Sequence, residues 1–169
     1  MKKIPLTKNF VENKDLKGLS DGHVIHTGSK LSNKDFKSEK DLGNFIAYHV
    51  QNFTEDILCD SVIESFREYK IEDNVRFGNS GLRIDLLITG AKRNYIIEFK
   101  KPHYNSENRK AIGQVLNYGR LLQKMKPVLC IITTSFDIDT AETIGYYNLP
   151  IRYFYINEDQ ILEYKGVGK

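Results

Sequence analysis

Cysteine is scarce in this chain: Cys59 and Cys130 are the two thiols in 169 residues. Neither stands in a CxxC pair or a Cys/His cluster, so no zinc site is expected. Cys130 lies inside the apolar run VLCII and reads as a buried thiol. Together they point to a reduced, cytoplasmic protein. Long apolar runs are also lacking. No stretch of about 18 residues could form a membrane span, and the start MKKIPLTKNF has no apolar centre of a signal peptide. Charge of one sign is nearly lacking too, with 25 Lys and Arg against 22 Asp and Glu, a formal net of +3. That balance permits nucleic-acid binding without demanding it. There is no internal repeat and no low-complexity stretch. What remains suits one domain with a real core.

The most informative stretch is 82–100, LRIDLLITGAKRNYIIEFK. It holds two apolar, strand-like runs joined by a turn over Thr89 to Asn94, consistent with a hairpin. Asp85 interrupts the first run and Glu98 and Lys100 the second. Side chains alternate along a strand, so Glu98 and Lys100 share one face and Ile97 and Phe99 the other. A buried, unpaired carboxylate costs several kcal/mol, roughly, unless a cation compensates. One compensating arrangement is a divalent-metal site, since carboxylates are hard ligands that suit Mg2+ or Mn2+. Lys100 could then position the attacking water or neutralise charge developing on a phosphate. The other is an ion pair of Lys100 with Glu98 or Asp85 at a sheet edge. Hairpin register decides whether Asp85 and Glu98 face the same side, and the sequence does not fix it.

Around this stretch the pattern alternates between classes. Residues 38–53 read as a helix with Ser38 as N-cap and Asp41 three residues on. Leu42, Phe45, Ile46, His49, Val50 and Phe53 recur at helical spacing, and Glu39 lies at the head of that apolar face. His49 reads as a core-edge residue. A second amphipathic segment is expected from Thr54 to Tyr69. Residues 107–124 form another helix, with Ala111, Val115, Tyr118 and Leu122 in one stripe and Gln114 one turn from Tyr118. VLCIITT reads as a buried strand, Ala141 to Tyr147 as a short helix, and IRYFYIN as a last strand. The tail EYKGVGK is expected to fray. Residues 1–37 are least legible and are set apart as an N-terminal arm or extension of the 38–169 domain. Their His23 and His26 are expected at the surface.

Asp85, a turn, and then Glu98-Phe99-Lys100 resembles the D…(D/E)xK signature of the PD-(D/E)xK nuclease superfamily, whose members include Holliday-junction-resolvase-like and restriction-type enzymes. A helix with Gln114 and Tyr118 follows the lysine strand, as in many of its members. The similarity spans about residues 39 to 135. Ile84 stands where the family's usual proline precedes the first aspartate. The resemblance implies an α/β fold, a three-layer restriction-endonuclease-like core with a mixed central sheet flanked by helices. It implies DNA as substrate and Mg2+ or Mn2+ held by Asp85 and Glu98. Glu39 would complete the metal site, or else simply favours the positive start of its helix, with Asp41 the fallback ligand. Glu72 and Asp73 could add a carboxylate. Lys100 and Gln114 join Asp85 and Glu98 as the catalytic set; Gln114 could bond the water, a phosphate or Lys100. Lys101, His103, Arg109 and Lys110 form a basic cluster that would hold phosphates, or else a solvated face. Tyr118 would touch substrate or orient the lysine, or else pack in the core.

The expected activity is thus a metal-dependent deoxyribonuclease, an endonuclease. One site cuts one strand, so symmetric double-strand cutting would call for a homodimer. The alternatives are a catalytically inactive nuclease-fold subunit for DNA binding or assembly, and an unrelated α/β interaction protein.

Overall fold

The computed structural model describes residues 23–27, 36–71, 81–104, 106–157 and 160–164. Glu72, Asp73, most of the N-terminal extension and the last residues of the tail lie outside the described residues, as do the side chains of His23 and His26. The elements run β1 (His23–Thr27), α1 (Glu39–Tyr48), α2 (Val50–Phe53), a π-helical turn (Thr54–Leu58), β2 (Val62–Lys70), β3 (Arg83–Gly90) and β4 (Asn94–Lys100). There follow α3 (Ser106–Leu121), a 3-10 turn (Gln123–Met125), β5 (Val128–Thr133), α4 (Ile138–Tyr146), β6 (Ile151–Asn157) and β7 (Gln160–Tyr164).

The strands form a seven-stranded sheet in the order β1-β7-β6-β5-β4-β3-β2. β4, β5 and β6 run parallel at its centre, and the flanking pairs are antiparallel. The parallel strands are near-continuous apolar runs because both their faces are covered. On one face Leu42, Ile46, Phe53 and Ile57 pack against Leu86, Ile97, Phe99, Cys130 and Phe154. On the other, Ala111, Ile112, Val115, Tyr118 and Ile144 pack against Leu87, Ile96, Ile131 and Tyr153. This is the three-layer α/β architecture, a mixed sheet flanked by helices, expected of a restriction-endonuclease-like core. No described helix is long and apolar enough to cross a membrane.

Ser38 caps α1, its Oγ accepting from Asp41 N at 3.1 Å. Asp41 does not close the reciprocal bond to Ser38; its Oδ2 accepts from Lys37 N at 3.1 Å. The expected single helix over 38–53 is broken at His49, which is buried with its ring 4.7 Å from that of Phe45. The amphipathic segment expected from Thr54 to Tyr69 divides into the π turn and strand β2. Ile57, Val62, Ile63 and Phe66 fit helical spacing, yet so short a run fits a strand as well. β2 is an edge strand that leaves Ile63 and Phe66 exposed, so no alternating pattern marks it in the sequence.

β6 is likewise not the last strand. Glu163 and Tyr164, expected to fray, lie in β7. Glu163 is buried and accepts from Arg152 Nε at 2.8 Å and Nη2 at 2.9 Å. β1 pairs with β7, so part of the N-terminal extension forms an edge of the same sheet.

Candidate active site

The hairpin register, open from the sequence, is settled by the pairing of β3 with β4. Leu87 lies opposite Ile96 and Leu86 opposite Ile97. Continued by one residue, this register sets Asp85 across from Glu98. Leu87 and Ile96 belong to the cluster under α3. By alternation Asp85, Glu98 and Lys100 share that face. The tight turn is held from outside by buried Asp60, whose carboxylate accepts from Lys92 N at 2.9 Å, Arg93 N at 2.9 Å and Tyr95 Oη at 3.0 Å.

Asp85 is half-buried, and its Oδ2 accepts from Phe99 N at 2.8 Å. Glu98 is 2% exposed and Lys100 9%. Lys100 Nζ donates to Glu98 Oε1 at 2.8 Å, while Glu98 Oε2 is buried without a partner. Burial, then the nearby Asp85 charge, pushes Glu98 up to about 7 against the pull of Lys100. Burial also lifts Asp85, opposed by the Phe99 N–H and by Lys100. Burial alone would lower Lys100, but Glu98, with Glu39 and Asp85 behind it, raises it overall. The two partners of the ion pair thus respond differently: the ammonium gains from three carboxylates, and the carboxylate loses to burial and to its acidic neighbour.

At the end of β4 a cleft of about 350 Å³ opens between the start of α1 and the N-terminal half of α3. It is lined by Glu39, Lys100, Lys101, His103, Lys110 and Gln114, together with Lys37, Ser38 and Glu107. The structure therefore brings Glu39 to the cleft beside Lys100, while Asp41 is turned to the cap. Gln114 lines the cleft one helical turn from Tyr118. Tyr118 itself is 4% exposed, and burial followed by the Glu98 charge raises its pKa. It is thus a buried neighbour of Glu98 within the core. Arg109 does not line the cleft and faces Asp139 of α4 at 3.8 Å.

The sequence reading passed over Lys37 and Glu107, both on the cleft wall. Lys37 immediately precedes the N-cap, and Glu107 Oε2 accepts from His103 N at 2.9 Å, fixing the loop after β4. That loop is also tied by Thr134 N to Lys100 O at 3.1 Å, and α3 by Asn108 Nδ2 to Ser135 O at 2.9 Å.

Among the described residues no group of three His, Cys, Asp or Glu is set to hold a metal ion. Mg2+ differs from Ca2+ or Zn2+ in needing no full protein cage: one or two carboxylates suffice, with waters and substrate phosphate completing the shell. The unpartnered Glu98 Oε2 beside Asp85 fits that requirement, because a buried acceptor without a donor favours a cation.

No family model matches the chain, and no curated protein matches it. Among solved structures, it is similar to the small subunit (R.BspD6I2) of the heterodimeric restriction endonuclease R.BspD6I, with a TM-score of 0.44 and 12% sequence identity. The match covers 74% of this chain and 67% of that one.

Proposed function

We propose that the chain is a metal-dependent deoxyribonuclease of the PD-(D/E)xK type, an endonuclease that hydrolyses DNA phosphodiester bonds. The observation that carries this reading is the one-sided pairing of Glu98: one buried oxygen on Lys100, the other unpartnered, with Asp85 across the hairpin. A purely structural ion pair would be expected to satisfy both oxygens.

Asp85 and Glu98 would hold Mg2+ or Mn2+; Glu39 of α1 lines the cleft beside Lys100, and neither of those two acids is among the residues of the cleft wall. A bound divalent ion supplies Lewis-acid activation of water and phosphate. Lys100, kept protonated by its acidic neighbours, donates toward the attacking water or the phosphoryl oxygen that gains charge. Gln114 orients a water or phosphate at the cleft wall. Lys37, Lys101, His103 and Lys110 would seat phosphates flanking the scissile bond. Arg109, off the cleft, would serve only a longer DNA track. Cutting both strands symmetrically would use two copies, so we propose a homodimer on DNA. On this reading the site works in the reduced interior of the cell, in keeping with a chain that has two cysteines and no CxxC pair.

The test is a cleavage assay on supercoiled, linear and branched DNA with Mg2+, Mn2+ or EDTA, comparing wild type with Lys100→Ala. Metal-dependent cutting by the wild type and a loss of at least about a hundredfold in the variant is the expected result. DNA binding that falls with salt, without cutting under any condition, would favour a non-cleaving nuclease-fold subunit instead.

A further inference from the structure

Arg67 of β2 lies on the sheet face covered by α1, opposite Leu86 in the β2–β3 register. Its Nη1 donates to the backbone carbonyl of Asp85, and its guanidinium lies over the Phe99 ring, 5.5 Å from the centroid. Phe99 is the residue whose N–H holds the Asp85 carboxylate. Both ends of Asp85 are therefore fixed by one assembly, the carbonyl by Arg67 and the carboxylate by Phe99. The other side of the guanidinium meets α1 at Gly43. A Cβ there would fall 2.5 Å from Arg67 Nη2 and 2.7 Å from its Cζ, so any side chain at this position would push the guanidinium aside. Gly43 sits one helical turn beyond Glu39, the acid that α1 brings to the cleft.

A cation on this side does not serve the fold cheaply. Arg67 Nε is buried without a partner. An apolar side chain of similar length would pack between Gly43 and Phe99 with no such penalty. The guanidinium instead provides what an apolar chain cannot, a directed hydrogen bond to the backbone that carries the first carboxylate.

We infer that Arg67, seated against Gly43 and Phe99, is a positioning residue that sets Asp85 where a divalent cation shared with Glu98 requires it. The inference rests on the reading of Asp85 and Glu98 as cation ligands. Residues that orient metal ligands typically govern metal affinity without touching the ion.

Mn2+ binding to the full chain without DNA, followed by electron paramagnetic resonance, tests it in wild type, Asp85→Asn, Arg67→Lys and Gly43→Ala. Arg67→Lys keeps the charge but lacks the fork that spans Asp85 and Phe99. Gly43→Ala keeps Arg67 and favours the helix by up to about 1 kcal/mol, while its methyl displaces the guanidinium. Both are expected to weaken Mn2+ affinity by about tenfold or more, with the Gly43→Ala melting temperature unchanged or raised. A purely structural role for Arg67 would move the melting temperature of Arg67→Lys and leave affinity alone. Wild-type affinity in Gly43→Ala overturns the inference, whether or not Arg67→Lys folds, and leaves the nuclease reading standing. Equal Mn2+ binding by wild type and Asp85→Asn removes the metal site itself, and with it both readings.

Discussion

Glu98 and Lys100 are joined through one oxygen only: Nζ donates to Oε1 at 2.8 Å, and Oε2, equally buried, has no partner. A carboxylate in that state is held by the fold at a cost. Glu98→Gln removes the charge and keeps an acceptor for Lys100. It is expected to raise the melting temperature of the metal-free protein at pH 8 by a few degrees, and to abolish the further rise that Mn2+ gives the wild type. Differential scanning calorimetry with and without Mn2+ measures both. A lower melting temperature in the variant would mean that the ionised pair is a net stabiliser.

The pH dependence follows from the same group. Glu98 has its pKa raised from 4.5 to about 7 in the folded chain, so the folded state holds this proton more tightly than the unfolded state. Its contribution to stability is fully present below about pH 4.5 and is lost as pH rises through 7, a change of at most roughly 3 kcal/mol. Subtracting urea-unfolding free energies of Glu98→Gln from those of wild type across pH 4.5 to 8 isolates this contribution; the difference should fall with rising pH. Mn2+ affinity should climb over the same interval, because the ligand must be deprotonated.

Asp60 should matter to the hairpin out of proportion to its size. Its carboxylate gathers backbone N–H groups of Ser61, Lys92 and Arg93 and the Tyr95 hydroxyl. Burial alone would raise its pKa, but these donors outweigh it and hold the group below its ordinary 3.8. Asp60→Ala would strand several buried donors and is expected to cost about 3 kcal/mol in urea denaturation. The stabilisation that Asp60 provides is present above pH 3.8 and fades as pH falls through its depressed pKa, so the variant and wild type should converge in acid.

The sequence made some parts of this molecule legible and hid others for identifiable reasons. The stripe of Ala111, Val115 and Tyr118 marked α3 because it repeats over several turns. Asp85, Glu98 and Lys100 stood out because charged residues are rare inside apolar strands. Whether the first two face one side depended on pairing across the turn, which no local pattern carries. β2 was hidden because an edge strand with Ile63 and Phe66 exposed shows no period of two. That error also concealed Arg67, whose partners come from α1, β3 and β4. Glu163 looked like part of a solvated tail because its partner, Arg152, is on another strand. Tyr118 carried two readings because it shares a stripe with core residues and stands one turn from Gln114; it is buried beside Glu98.

The hairpin that carries Asp85 and Glu98 closes through Ala91, Lys92 and Arg93 alone, whereas β4 meets β5 only after the whole of α3 has been laid down. Contacts between near neighbours in the chain form with little loss of loop entropy, and distant parallel pairings form slowly. The two carboxylates therefore belong to a local hairpin pairing rather than to a distant parallel one. A newly made chain could bring them together before the central strands have docked. Lys100, whose carbonyl accepts from Thr134 N beyond β5, would be fixed only when that later pairing is complete. On this order of events the acidic pair forms before the lysine beside it is fixed, so an incompletely folded chain would hold the two carboxylates ahead of their cation.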